Sequence, residues 1–459
     1  MTEIGSDTFE TNTFGFNLPC RQFVIAAERT KERRLPMVDE FILKTLLVVE
    51  SISAARLARF FGFEGRDLGI SISDLQSRGL VSVDGDNLSL HPSAKEMFRT
   101  SDESAPTITV AEPLHADVWF DLVTKHMVSG RGLRHVPHLI SIPTKQTLNE
   151  SEARTAFHDN FRDYLRIARN DKNPSQWSLY SILDVHAGRY SSVQIAGSEM
   201  LSLQGAPKLE CRLQLESDDR KLRVRQLTEA MTVQLGSRDQ AAPSQVAFGE
   251  LTRMFSHVDW KRWMKPDGNF DLMGWLEHET RSGAEHTVPL LGYPYVERNR
   301  KEIASLLEIA RFDTSGDDRW QVCWLRPGGS RWGASEDVPL TLEALRGVVR
   351  SRVKGGMLSS ILVSPSSIFD KEAIAFSRVF ERGCRAPAGK SPLALEVIVI
   401  ADAVAVVSTM VALSPTVHVP VGYATMEEAL VKRIVDLSGM AGLARDGARQ
   451  WPQVEKRAA

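Results

Sequence analysis

The sequence predicts an α+β multidomain protein, and three observations lead to that class. The chain has 459 residues, which exceeds what one hydrophobic core usually serves. Apolar residues form 42% and charged residues 25% of the chain, the balance of an ordinary globular protein. Helical periodicity and β-branched runs both occur, and they alternate in the last third. The predicted layout is a flexible leader (1–35), a helical module with a β-hairpin (36–100), a mixed α+β middle domain (105–315) and a C-terminal α/β domain (316–445).

The bulk composition narrows the classes of function. The formal net charge is −2, so the field of the whole chain does not favour a polyanion or an anionic membrane surface. The four cysteines are too far apart in sequence for a zinc pair or a redox Cys-x-x-Cys motif, and no histidine lies in a metal-binding motif. We therefore expect no metal and no cofactor, and the scattered cysteines are typical of a reducing cytoplasm.

The most apolar stretch, 393–413, contains Glu396 and Asp402, and two charges would be costly inside a bilayer. The stretch therefore predicts two buried strands joined by a turn and no membrane span. The polar, acidic segment 1–17 lacks the apolar core of a signal peptide. Together these features predict a cytoplasmic protein.

A basic run follows the polar N-terminal segment, and its members are Arg29, Lys31, Arg33 and Arg34. Segment 1–35 is predicted to be a flexible leader, apart from a short strand at 21–25. Two interpretations of the basic run stay open. It is either a solvated linker or an arm that contacts nucleic-acid phosphates beside the next module.

Segment 36–100 carries a regular succession of local signals. Helical periodicity marks 39–50, 54–61 and 66–78, and a glycine follows each of the last two. Two short alternating strands then flank a tight turn at 84–87. The apolar side chains expected to form the core are Phe41, Leu46, Leu57, Ile72, Leu75 and Leu80.

Three short helices followed by a hairpin resemble the winged helix, a variant of the helix-turn-helix. Residues 75–81 read Leu-Gln-Ser-Arg-Gly-Leu-Val, which is similar to the L-x-x-R-G-L-V ending common in that family. The resemblance implies that the third helix enters the major groove of DNA. The DNA-contacting residues it implies are Arg66, Ser73, Gln76 and Arg78 on that helix, with Arg29, Lys31, Arg33 and Arg34 in the arm.

The charge of this module leaves its ligand open. Residues 36–99 contain seven lysines and arginines against nine aspartates and glutamates, and the hairpin turn carries Asp84 and Asp86. Acidic side chains repel phosphates, whereas arginine and glutamine can hydrogen-bond base edges. Duplex DNA and a protein partner both remain alternatives.

The two later domains are predicted from shorter signals. In the middle domain, helices are expected at 117–128, 151–167, 245–264, 271–278 and 298–311, a helix and a strand within 220–235, and a three-stranded meander at 191–216. In the C-terminal domain, strands are expected at 320–325, 397–400, 404–407 and 417–421, and helices at 342–352, 370–383 and 425–437. The glycine-rich segment 326–333 is either a surface turn or a loop that cradles an anion through backbone amides.

Segment 395–413 resembles the second strand pair of the phospholipase D superfamily, whose active halves carry His-x-Lys-x-x-x-x-Asp and then a serine pair. Asp402 and the pair Ser408-Thr409 stand at matching positions. Leu395 stands where that family has its histidine, Val397 where it has its lysine, and no His-x-Lys occurs in the chain. Phosphodiester cleavage by that route lacks its nucleophile, so no catalytic residue is predicted. The resemblance implies a degenerate, ligand-binding domain, and an unrelated α/β interaction domain is the alternative.

These patterns favour a non-enzymatic winged-helix protein that is a DNA-linked regulator or a subunit of a bacterial-type DNA-processing or defence complex. The alternative is an interaction or scaffold subunit without DNA contact, and the third interpretation is an atypical phospholipase D-like nuclease. The expected partners are duplex DNA, a protein subunit and a second copy of the chain.

Overall fold

The structure of the chain is a computed structural model. It describes residues 8–63, 65–100, 107–144, 147–214, 221–238, 240–282, 286–311, 319–364, 369–386 and 394–440. Within these ranges, thirteen α-helices and sixteen strands are arranged around three sheets, so the α+β class is confirmed.

The α-helices are α1 (Met37–Val49), α2 (Ala54–Phe61), α3 (Gly65–Ser77), α4 (Pro92–Thr100), α5 (Glu150–Asp159), α6 (Phe161–Ile167), α7 (Lys221–Gly236), α8 (Gln245–Met254), α9 (Leu272–Ser282), α10 (Glu297–Ile309), α11 (Asp337–Arg352), α12 (Phe369–Phe376) and α13 (Glu428–Ser438). The strands are β1 (Thr8–Arg34), β2 (Ser51–Ser53), β3 (Val81–Asp84), β4 (Asn87–Leu90), β5 (Thr107–Asp121), β6 (Met127–Val128), β7 (Ile140–Ser141), β8 (Trp177–Ser202), β9 (Lys208–Gln214), β10 (Thr287–Leu291), β11 (Arg319–Leu325), β12 (Met357–Ser364), β13 (Arg382–Arg385), β14 (Leu395–Ile400), β15 (Val404–Ser414) and β16 (Val417–Thr425).

Strand β1 is the centre of the first sheet, whose order is β6-β5-β1-β8-β9, with β7 added parallel to β1. It has 27 residues, and β8 pairs with it along most of that length. At about 3.3 Å per residue, β1 spans roughly 90 Å. Every residue from 11 to 18 is buried, so both faces of the strand are covered there, whereas farther along Phe23, Ile25 and Ala27 alternate with more exposed residues and one face lies inward.

The prediction of a flexible leader over 1–35 is wrong for residues 8–34, which form β1. Residues 1–7 lie outside the described residues. Threonine and phenylalanine favour strands, and alternation of these residues with polar ones marks a half-buried strand rather than disorder. The expected short strand at 21–25 is one part of this longer element.

Between β1 and β5 the chain forms a separate unit, the three-helix module (residues 37–100). Its name refers to α1, α2 and α3, and it also contains a small sheet of order β2-β4-β3 and the additional short helix α4. The two flanking strands begin to pair at once, with Arg34 opposite Thr107, so the module is attached at the end of a two-stranded antiparallel ribbon. Its first three helices and its hairpin lie where the local signals predict them.

The core of the module differs from the predicted core at one position. Leu46, Leu57 and Leu75 are fully buried, Leu80 is buried and Ile72 is half-buried, as expected. Phe41 was also expected in the core, and this is wrong because its side chain is 53% exposed. The inner face of α1 is formed by Ile42, Leu43 and Leu46, one position around the helix from Phe41.

Two elements of the predicted middle region are also corrected. The segment 117–128, expected as a helix, lies in β5, a turn and β6. The first two strands of the expected meander are one continuous strand, β8. Both regions gain their hydrogen bonds from β1, a partner far away in sequence, so local periodicity does not reveal them.

The second large sheet has the order β10-β16-β15-β14-β11-β12-β13. Every residue of β14 is buried, and β14 and β15 are joined by a turn, as the sequence predicts for the apolar stretch. Strand β10, in the segment assigned to the middle domain, pairs with β16 in this sheet. The expected helix at 370–383 is shorter, since α12 ends at Phe376 and β13 follows.

The first half of β1 docks on the loops of the second large sheet. The backbone amide of Gly15 donates to the carbonyl of Ala334 at 2.7 Å, and the hydroxyls of Thr13 and Ser335 are 2.6 Å apart. The hydroxyl of Tyr295 donates to the buried Oδ1 of Asn12 at 2.8 Å. One strand therefore runs from the loop 326–335 to the three-helix module.

In the part of the chain that the structure describes, every helix is too short or too polar to cross a bilayer.

Candidate functional site

The outward surface of α2 and α3 is the candidate site, and we call it the basic face (Arg56, Arg59, Phe60, Arg66, Ile70 and Ser73). Helix α2 buries Leu57 in the core of the module, and Arg56, Arg59 and Phe60 are exposed on its surface. The ring of Phe60 is 70% exposed. A short amphipathic helix thus presents two cations and one aromatic ring to solvent.

Helix α3 adds the second half of the basic face. Leu68 and Leu75 anchor its inner side, so Arg66, Ile70 and Ser73 lie on its outer side, and Ile70 is 64% exposed. Within the described residues, no carboxylate forms an ion pair with Arg56, Arg59 or Arg66. These three charges are therefore available to an external anion.

The residues predicted on the third helix are all exposed, but they are not equivalent. Arg66, Ser73 and Gln76 project from α3 into solvent. Arg78, one residue beyond α3, forms an ion pair with Asp74 in which Nη2 and Oδ2 are 2.6 Å apart. The charge of Arg78 is thus partly neutralised in the free protein.

The predicted basic arm is divided by the structure into two pairs. Arg29 and Lys31 contact Glu112 at 3.2 and 3.5 Å, and both cations lie over the ring of Trp177. These two side chains therefore stabilise the pairing of β1 with its neighbours. Arg33 and Arg34 are exposed at the end of β1, immediately before the module.

The hairpin of the module contributes acidic groups. Asp84 ends β3 and Asp86 lies in the turn before β4, and both side chains are exposed. A phosphate backbone would be repelled here and attracted by the basic face. Any nucleic acid bound to the module is therefore expected on the side of α2 and α3.

Sequence reasoning missed Arg56 and Arg59. The signal was present, because Leu57 and Phe61 are four residues apart and fix the inner side of α2, which leaves both arginines outside. The winged-helix resemblance implies base contacts from the third helix, so it does not point to side chains on the second.

The residues matched to the phospholipase D pattern do not come together. Asp402 is exposed in the turn between β14 and β15, with a positive φ of 51°. Ser408 and Thr409 are buried in β15, and Thr409 donates to the carbonyl of Ala394 at 3.0 Å. Among the described residues, no hydrogen bond or ion pair joins Asp402 to Ser408, to Thr409 or to a cation.

A buried carboxyl, Glu396, occupies the centre of the second large sheet. Its Oε1 accepts hydrogen bonds from the indole nitrogens of Trp324 and Trp332, each at 2.8 Å, and its Oε2 accepts one from Ser408 at 3.3 Å. Burial raises the pKa of Glu396 to about 7, and the three donors limit that rise. This network is closed to solvent, so we assign it a structural role.

Within the described ranges, no group of three or more His, Cys, Asp or Glu side chains is placed to hold a metal ion.

No family model matches the chain, and no curated protein matches it. Among solved structures, that of TrmBL2, an archaeal chromatin protein with a novel mode of DNA binding, aligns with 89% of this chain and 92% of its own. The identity is 8% and the TM-score is 0.22, and a likeness at that level carries no argument about fold or function.

Proposed function

We propose that the three-helix module is a winged helix that contacts duplex DNA through its basic face, in a non-enzymatic protein that is a DNA-linked regulator or complex subunit. The observation that carries this proposal is the set of exposed cations Arg56, Arg59 and Arg66 on adjoining helices, none of which forms an ion pair among the described residues. An exposed face of this kind has no role in the packing of the module.

The dimensions of α3 suit this function. Its 13 residues form a rod about 20 Å long, and the width of an α-helix fits the major groove. In that position Arg66, Ser73 and Gln76 supply hydrogen bonds to bases or phosphates, and Ile70 supplies an apolar contact for a thymine methyl group. Arg56 and Arg59 on α2 then contact the phosphates beside the groove.

Salt dependence of binding tests the proposal. Fluorescence anisotropy with a short labelled duplex should give a dissociation constant that rises steeply with salt, because bound cations release counterions from DNA. Replacing Arg56, Arg59 and Arg66 together by alanine should reduce the slope of log K against log salt by roughly 2 to 3. Arg298→Ala removes one exposed charge on α10, outside the module, and serves as the control. An unchanged slope in the triple variant would contradict the proposal.

A second candidate function rests on a different surface of the module, the apolar stripe of α1 (Met37, Phe41 and Val48). These side chains are 73%, 53% and 82% exposed and follow the helical period on one face. We propose a protein partner as the alternative ligand, since an exposed apolar stripe is typical of interaction surfaces. If a protein co-purifies with the full chain, its loss from the double variant Phe41→Ser and Val48→Ser would support docking at this stripe, provided that the variant still binds DNA. Retained co-purification would exclude it.

A further inference from the structure

A cavity of about 880 Å³ lies where the loop 326–333, helix α12 and the segment before β7 meet. Its wall includes His138, Arg238, Gly329, Trp332, Lys371 and Phe376. Its volume is in the range of small-molecule sites. The basic face lies on other elements, so this cavity is a separate feature of the molecule.

His138 contributes an uncharged, largely buried ring to the cavity wall. His138 is 9% exposed, its ring stacks on Phe376 with centroids 5.7 Å apart, and its Nε2 lacks a hydrogen bond within the described residues. Burial lowers the pKa of His138 to about 4, against a hydrogen bond with the Ser335 backbone that raises it. At neutral pH the ring is uncharged and has one acceptor nitrogen. Because Nε2 is itself shielded from solvent, the ring adds an uncharged surface to the cavity and no accessible acceptor.

The charged groups of the wall are positive in sum. Arg238 donates from Nη1 to the carbonyl of Ser330 at 3.0 Å, and within the described residues no carboxylate pairs with it. Lys371 is exposed at the first turn of α12 and likewise has no ion pair among the described residues. The carboxylate of Glu372 is bound to the buried guanidinium of Arg326, so it does not neutralise these two cations.

We propose that this cavity binds a small molecule with a phosphomonoester group. Arg238 and Lys371 bind the phosphate, and the uncharged ring of His138 lines the part of the cavity that holds the rest of the molecule. Two cations match a group whose charge is close to −2 at neutral pH. Gly328 and Gly329 carry no side chain to obstruct the approach, and the apolar wall formed by Ala334, Ala375 and Phe376 contacts the carbon skeleton.

The test uses the full chain and calorimetric titration with four probes: ribose 5-phosphate, adenosine monophosphate, and their phosphate-free counterparts ribose and adenosine. We expect at least one phosphorylated probe to bind, and its counterpart to bind at least about tenfold more weakly, because charge-assisted hydrogen bonds to the phosphate are lost. Equal binding of a probe and its counterpart, or no binding of either phosphorylated probe, would overturn the proposal.

Variants locate the site. Lys371→Gln and Arg238→Gln should each lower the affinity for the phosphorylated probe about tenfold. Lys432→Gln, which removes an exposed charge from α13, should leave that affinity unchanged. Circular dichroism confirms that each variant folds. Unchanged affinity in both Lys371→Gln and Arg238→Gln would place the ligand elsewhere and contradict the proposal.

Discussion

The three-helix module and the second large sheet use their side chains in opposite ways. In the module, the core is small and local, and apolar and basic groups such as Val48, Phe60 and Arg66 face solvent. In the sheet, even an acid, Glu396, is turned inward and held by three donors. The difference supports the proposal that the module contacts another molecule with its outer surface, whereas the sheet buries even a carboxyl group within its core.

The largest expected effect comes from a methyl group added to the sheet. A Cβ at Gly422 would lie 2.0 Å from the carbonyl oxygen of Val407, so Gly422→Ala must separate β15 from β16. We expect a loss of more than about 3 kcal/mol in the free energy of unfolding, measured by chemical denaturation. Gly69→Ala in α3 is the matched control, since no atom lies near its added Cβ and alanine favours a helix. Equal destabilisation by both changes would contradict the contrast between the regions.

The next effect concerns the core of the module. Leu46 is fully buried in α1, and Leu46→Ala should destabilise the module by about 3 kcal/mol because it leaves a cavity. Hydrogen exchange of the backbone amides in residues 37–100, measured as the temperature is raised, would detect this loss within the module. A uniform loss over the whole chain would show instead that the module does not unfold separately from the sheets.

The third effect is a pH dependence that belongs to the sheet. The pKa of Glu396 is about 7 in the folded protein and near 4.5 when unfolded, so the folded state binds more protons between these values. Its contribution to stability is therefore present at low pH and is lost as the pH rises through 7. Between about pH 5 and pH 8 the wild type should lose roughly 2 to 3 kcal/mol relative to Glu396→Gln, in which the amide oxygen still accepts from both tryptophans. If the free energy of unfolding changed with pH in the same way in both proteins, this ionisation of Glu396 would be ruled out.

The smallest effect is expected on the outer side of α1. Phe41→Ser should change the free energy of unfolding by less than about 0.5 kcal/mol, because the ring is mostly exposed in the free protein. A thermal melt measures it directly. A loss of stability similar to that caused by Leu46→Ala would mean that Phe41 is covered in the folded protein. The apolar stripe would then not be an exposed surface.

The separation along the sequence between contacting residues explains which parts of the fold were predictable. The helices and hairpin of the module are fixed by neighbours in sequence, such as Leu68, Ile72 and Leu75 on one helix face, so periodicity alone predicts them. Strand β1 is fixed by partners such as Ser202, which pairs with Thr8, and its polar face was mistaken for disorder. Local patterns carry no information about such distant pairs.

The candidate site was predictable in part for the same reason. Arg66, Ser73 and Gln76 follow from the period of one helix, and the structure leaves them exposed. The environment of Glu396 depends on Trp324 and Trp332, which are 72 and 64 residues away, and no spacing in the sequence indicates that contact. The cavity likewise joins His138, Arg238 and Lys371 from three distant segments.

Hydroxyl-radical footprinting with and without duplex DNA tests the central claim most directly, because Phe60 and Phe41 are exposed rings on two different faces of one module. If the basic face binds DNA, oxidation of Phe60 should fall several-fold at low salt and recover at high salt, while oxidation of Phe41 stays constant. Unchanged oxidation of Phe60 at saturating DNA, or protection of Phe41 alone, would contradict the account.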